Sequence, residues 1–134
     1  MYLKLDMESK TPLYQQIVNQ ISEGIIIGEL QQEDRLPSVR RLATDIGINM
    51  HTVSKSYKIL EQLGYIRMHR RKGAVVSNFY LEHNSNPQEL HQLREMLRPT
   101  VVWAISSGIS LKEINLVIAK LFHSLNSDEG RERQ

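Results

Sequence analysis

Cysteine is absent from the 134-residue sequence. That excludes a disulfide framework, a cysteine-ligated zinc site and a thiol nucleophile, and it suits a reducing compartment. Long apolar runs are missing too. No stretch approaches the ~18 uninterrupted apolar residues of a membrane helix. The opening Met1-Tyr2-Leu3-Lys4-Leu5-Asp6 lacks the charged-then-apolar layout of a signal peptide. The expectation is a soluble, cytoplasmic protein with no membrane partner. Catalytic motifs are equally scarce: no nucleophile elbow, Walker loop or G-x-G-x-x-G accompanies the Ser, His and Asp residues. His69, His83, His91 and His123 have no second His and no Cys at helical spacing, so neither a metal nor another cofactor is expected. An enzyme is not indicated.

What is present is ordinary in amount and uneven in placement. Hydrophobic residues make up 40% and charged residues 24%, the usage of a globular chain. The length allows one domain, or a small domain with an appendage. Folding at this size buries about two-thirds of the unfolded surface, so a core is expected. The formal net charge is only +2, yet residues 1–34 hold two bases and six acids, a net of −4. From Arg35 to Gly73 there are nine bases against Asp45 and Glu61, a net of +7, and from Ala74 onward six bases and seven acids give −1. A charge run alone reads as a solvated surface; it gains meaning only where the bases share a face.

Thr11-Pro12 reads as a helix start, with Thr as cap and Pro at the first helical position. Leu13, Ile17, Ile21 and Ile25 then recur every four residues on a helix reaching about Ile27 and stopping at Gly28. Glu33 to Leu36 is a polar connection. Leu36-Pro37-Ser38 forces an extended approach followed by a capping serine. A short helix from about Val39 to Ile46 follows, burying Val39, Leu42, Ala43 and Ile46 while Arg40 and Arg41 leave its other side. Gly47 supplies a tight turn and Asn49 can cap the next helix, about Met50 to Leu63. Two helices joined through such a glycine turn are a helix-turn-helix. At ~100° per residue, Val53, Tyr57, Leu60 and Leu63 cluster on one side of the second helix. His51, Ser54, Lys55, Lys58 and Gln62 fall opposite, with Glu61 toward the edge. Tyr57 is core by this spacing, with a hydroxyl left open to a phosphate.

Past Gly64, Ile66-Arg67-Met68-His69 alternates as a strand, Arg70-Arg71-Lys72-Gly73 makes a polar turn, and Ala74-Val75-Val76 returns: a basic hairpin. Asn84-Ser85-Asn86-Pro87 marks a linker. Leu90, Leu93, Leu97, Val101, Ala104 and Ile105 then trace an amphipathic helix that Pro99 should kink or delay, ending at Gly108. Ser110-Leu111-Lys112-Glu113 fits the S-x-x-E capping box ahead of a last helix with a broad apolar face. The tail from about Ser127 is polar. No internal repeat or low-complexity tract is present.

Three helices, a glycine turn and a basic hairpin make a winged helix-turn-helix, in which one helix enters the DNA major groove and the wing meets the neighbouring backbone or minor groove. The fold class expected is mainly α with a small β-hairpin. Residues 1–80 form the winged domain, and 81–134 a linker with a two-helix dimerisation tail. The residues themselves resemble a family. Pro12-Leu13-Tyr14, Gly28-Glu29-Leu30, Leu36-Pro37-Ser38-Val39-Arg40-Arg41-Leu42-Ala43, Asn49, Thr52-Val53 and Leu63-Gly64-Tyr65-Ile66 look like the N-terminal domain of GntR-family bacterial transcriptional regulators. The short remainder looks like the YtrA subfamily, whose tail serves dimerisation.

The resemblance implies a dimeric, usually repressing, DNA-binding protein. It places Arg40 at the arginine of the L-P-S-x-R motif, which contacts DNA. Asn49, Met50, His51 and Thr52 fall at the start of the recognition helix. Met50 departs from the arginine found there in relatives and Ser54 is uncharged where some carry arginine, so their base preference does not transfer. Glu33 stands where many members have glycine, a change expected to affect only a loop. Arg71 departs from the R-G-x-G wing, a change expected to alter the tip and add a cation, while Gly73 keeps the second glycine. The expected DNA contacts are Arg40, Arg41, Asn49, Met50, His51, Thr52, Lys55, Lys58, Arg70, Arg71, Lys72 and Gly73. Lys55 and Lys58 are expected to contact phosphates rather than bases. The expected dimer interface is Leu93, Leu97, Val101, Trp103, Ile105, Ile114, Val117 and Leu121. The expected partners are double-stranded DNA and a second copy of the chain; the sequence locates no effector pocket. A winged-helix interaction module binding protein or RNA is the alternative.

Overall fold

A computed structural model of the chain describes residues 3–77 and 84–126. The described residues fall into two compact units, 3–77 together with Asn126, and 84–125. The first carries α1 (Leu13–Ile26), α2 (Val39–Ile46), α3 (Met50–Gln62), β1 (Ile66–His69) and β2 (Gly73–Val76). The second carries α4 (Pro87–Ser106) and α5 (Leu111–Leu125). The described chain is thus mainly α with one small antiparallel hairpin, as the sequence indicates.

In the first unit the four-residue stripe of α1 becomes the floor of the core: Ile17, Ile21 and Ile25 are fully buried. Against it pack Leu42 and Ala43 of α2, Val53, Tyr57 and Leu60 of α3, and Ile66, Ala74 and Val76 of the hairpin. Each such branched side chain contributes about 1.5–3 kcal/mol on leaving water. Polar side chains lock the elements in place. The Ser56 hydroxyl, fully buried on α3, donates to the Tyr14 carbonyl of α1 at 3.0 Å, and the Tyr57 hydroxyl donates to the Pro37 carbonyl at 2.7 Å. That second bond takes up the hydroxyl left open to a phosphate, and Tyr57 is a core residue only. The Gln16 amide brackets the N-terminal segment, accepting from the Asp6 N–H and donating to the Asp6 and Thr11 carbonyls. Gln20 does the same at Lys4.

The helix-turn-helix follows its local chemistry closely. Ser38 caps α2 by accepting from the Arg41 N–H at 3.1 Å. Gly47 takes the left-handed conformation at φ 70°, where an L side chain would be strained, and Asn49 caps α3 by accepting from the His51 N–H at 2.7 Å.

Four expectations need correction. Thr11 does not cap α1: Pro12 is itself the N-cap residue and no side chain satisfies that end. Leu63 is exposed, because α3 ends at Gln62 and Leu63 is already its C-cap. The Glu33 to Leu36 connection is more than a loop. Its backbone pairs with β2 through Glu33 N–H to Val76 O (3.0 Å), Val76 N–H to Asp34 O (2.9 Å) and Leu36 N–H to Ala74 O (2.9 Å). An isolated bridge joins Arg35 to Val75, so the hairpin gains a third, short partner. Finally, α4 begins at Pro87, at the end of the expected linker, and runs through Pro99 without a break in the helix.

In the second unit, Asn86 caps α4 by accepting from the Glu89 N–H at 2.9 Å, with Pro87 at the first helical position. The Ser110–Glu113 box forms reciprocally: the Ser110 N–H donates to the Glu113 carboxylate, and the Glu113 N–H to the Ser110 hydroxyl, each at 3.1 Å. Ala104 is the buried residue of α4, and α5 buries none. Leu93, Leu97, Val101, Trp103, Ile105, Val117 and Leu121 stand exposed in the single chain, and Ile114 is half-buried.

Candidate nucleic-acid interface

The exposed side of α3 follows from its buried side. Val53, Ser56, Tyr57 and Leu60 face the core. At ~100° per residue that leaves His51, Lys55, Lys58 and Gln62 around the opposite arc, and all four are exposed. Met50 is exposed at the helix start, while Thr52 and Ser54 are half-buried at the flanks. Asn49 is exposed but its side-chain oxygen is committed to the cap. Lys55 is not a free rod: its ammonium sits 3.9 Å from the centre of the Tyr14 ring, a cation–π contact that anchors its stem beside α1.

On α2, Arg40 and Arg41 are both exposed. Arg41 pairs with Asp45 one turn on at 3.4 Å, with side chains 75% and 52% exposed. Such a pair is worth about 0.3–0.5 kcal/mol, weak enough for a phosphate to displace the acid.

The wing tip is built by a side chain that its pattern did not announce. The Nδ1 of His69 accepts from the backbone N–H groups of both Arg71 and Lys72, at 3.1 and 3.2 Å. Those bonds close the turn while the Arg70, Arg71 and Lys72 side chains stay exposed. Gly73 then takes φ 74°. Glu33 is the one non-glycine residue with positive φ among the described residues, so Arg71 carries no left-handed strain at its unglycine-like position.

Glu33 itself, at φ 71°, explains why a glycine suits that place, and its role is larger than that of a loop residue. Both of its carboxylate oxygens accept from Nη2 of Arg67 on β1, at 2.6 and 2.7 Å. The Arg67 hydrogen bond, aided by the charges of Arg67 and Lys72, holds the Glu33 carboxyl below its ordinary value. The signal available in the sequence was an acid at a glycine position beside a base-rich hairpin; its partner lies 34 residues away.

α3 packs against α1, α2 and β1, so the bases of α2, α3 and the hairpin ride on one core. Among the described residues no group of three His, Cys, Asp or Glu side chains could hold a metal, and no helix is long and apolar enough to cross a membrane.

Residues 13–76, from α1 to the end of the hairpin, match the family described as bacterial regulatory proteins, gntR family. The HTH-type transcriptional repressor YtrA of Bacillus subtilis is 34% identical over 117 residues, covering 84% of this chain and 86% of its own. The chain belongs to the GntR family. The likeness to YtrA extends past the winged unit into the tail, as a YtrA-like member requires. A solved structure described as a transcriptional antiterminator from Listeria monocytogenes superposes with a TM-score of 0.83 at 29% identity, covering 96% of each chain. YtrA from Sulfolobus acidocaldarius, a GntR-family transcription factor, gives 0.57 at 39% identity, over 78% of this chain and 97% of that one. This GntR member is a transcriptional regulator with a DNA-binding winged helix-turn-helix.

Proposed function

We propose that the protein is a cytoplasmic, homodimeric repressor that reads a pseudo-palindromic operator and works without catalysis. Residues 1–80 bind DNA and residues 81–134 pair two copies. The observation that carries this reading is the outer arc of α3, where His51, Lys55 and Lys58 stand exposed opposite the core in a segment of net charge +7. Asn49, Met50, His51 and Thr52 enter the major groove at the helix start. Arg40 and Arg41 reach it from α2, and Lys55 and Lys58 neutralise phosphates. Arg70, Arg71, Lys72 and Gly73 lay the wing along the adjacent backbone. The exposed apolar residues of the tail, Leu93, Leu97, Val101, Trp103, Ile105, Val117 and Leu121, with the half-buried Ile114, meet their symmetry mates in a two-fold interface. Pairing two modest half-site contacts multiplies their affinity.

A second reading is favoured by one comparison: the Listeria structure is described as an antiterminator, which makes RNA a competitor worth testing. Both are separated by titrating the full chain with duplex DNA selected from a random pool and with RNA hairpins. The DNA reading predicts tighter duplex binding, with log affinity falling linearly as log salt rises. Arg40→Ala should weaken duplex binding by about 1–3 kcal/mol with unchanged thermal melting. Preference for the hairpins, or full duplex affinity in Arg40→Ala, would contradict it.

A further inference from the structure

The Glu33–Arg67 pair ties the wing to the segment before α2. Arg67 sits on β1 between the core and the tip. Register aligns it with Val75 on β2, and Val75 is bridged in turn to Arg35. Arg67 therefore reaches across β2 to the short third partner, where Glu33 waits. On a strand, residues two apart share a face, so Arg67 and the turn-closing His69 lie on the same side of β1.

Three properties of the pair belong together. Its geometry, one guanidinium nitrogen 2.6 and 2.7 Å from two carboxylate oxygens, is a contact that an arginine also makes to phosphate. The two side chains are 46% and 48% exposed, so the contact is open to water and to a competing anion. The carboxylate is held there from a backbone at φ 71°, which a glycine would adopt without cost. A strained, half-exposed acid set among wing bases adds little to folding, whereas it directly opposes the approach of a polyanion.

We propose that the Glu33 carboxylate is an internal competitor of DNA phosphate for Arg67, and thereby sets how strongly the wing side of the protein grips a duplex. The inference rests on the reading of the wing as a DNA contact. When the duplex docks, Arg67 exchanges one anion for another. The net gain from that arginine is small for as long as Glu33 remains charged.

The test uses the full chain, one fixed duplex selected by the wild type, and binding measured across a salt series. Glu33→Gln keeps the side-chain shape and the backbone conformation but removes the charge. It should tighten binding several-fold and steepen the log–log salt slope by about 0.9, the value for one added phosphate contact. Arg67→Ala should leave wild-type affinity within about twofold, and Glu33→Gln combined with Arg67→Ala should lose the gain. Glu33→Gly, which also relieves the backbone, should match Glu33→Gln and guards against a folding artefact. Unchanged affinity and slope in Glu33→Gln would overturn the proposal. So would an equal gain with and without Arg67, which would mark a long-range charge effect. Failure of the wild type to bind any duplex would instead overturn the DNA reading itself.

Discussion

Tyr57 shows how much one side chain can hold in this fold. It is 4% exposed, and its hydroxyl, 2.7 Å from the Pro37 carbonyl, fixes the extended approach to α2 against the recognition helix. Burial pushes the phenol pKa up, so it stays a neutral donor at any working pH. Tyr57→Phe removes the donor and leaves a carbonyl without its partner, which costs about 1–3 kcal/mol. At ~4–8 °C per kcal/mol for a unit of this size, thermal melting should fall by several degrees; an unchanged midpoint would remove Tyr57 from this role. Helical spacing with Val53 and Leu60 was enough to place the ring in the core. The bond was not legible, because Pro37 lies 20 residues away and nothing local selects it. His69 differs for another reason: alternation placed it on a strand, but only the closed turn shows its ring accepting two backbone donors.

At the scale of elements, what was legible is what short-range chemistry decides. The Ser38 and Asn49 caps, the Gly47 turn and the span of α2 follow from neighbours within four residues, and so does the Ser110–Glu113 box. Pairing of the Glu33–Leu36 segment with β2 escaped because its partners are some forty residues on and its own residues are polar. Pro99 does not delay the regular start of α4, which is continuous from Pro87 to Ser106. A proline removes one backbone donor, but the caps and the apolar period on both sides carry α4 past it. The capping box supplies a pH test. Hydrogen bonds from the Ser110 backbone, then from its side chain, hold the Glu113 carboxyl below its ordinary 4.5. A carboxyl depressed in the folded state stabilises above 4.5, and the contribution is lost as pH falls through the lowered value. Amide protection at Leu111 to Ile114, taken relative to intrinsic exchange at each pH, should therefore fall on acidification below pH 4.5, and Glu113→Gln should flatten that dependence. Equal acid sensitivity in the two proteins would assign it elsewhere.

At the scale of the whole molecule, two asymmetries stand side by side. Charge is concentrated between Arg35 and Gly73, and uncovered apolar side chains are concentrated on α4 and α5. The first was legible by counting, and helical period places Lys55 and Lys58 on the outer arc of α3. The second was legible as amphipathic stripes, because two short helices cannot cover such broad faces themselves. The proposed function accounts for both, with DNA on the charged surface and a second copy on the apolar one. Selection of bound fragments from random duplex DNA by the full chain tests that union most directly. The account predicts enrichment of an inverted repeat whose half-sites lie about 10 base pairs apart centre to centre, or a multiple of that. Enrichment of a single unrepeated site, or no enrichment over the starting pool, would contradict it.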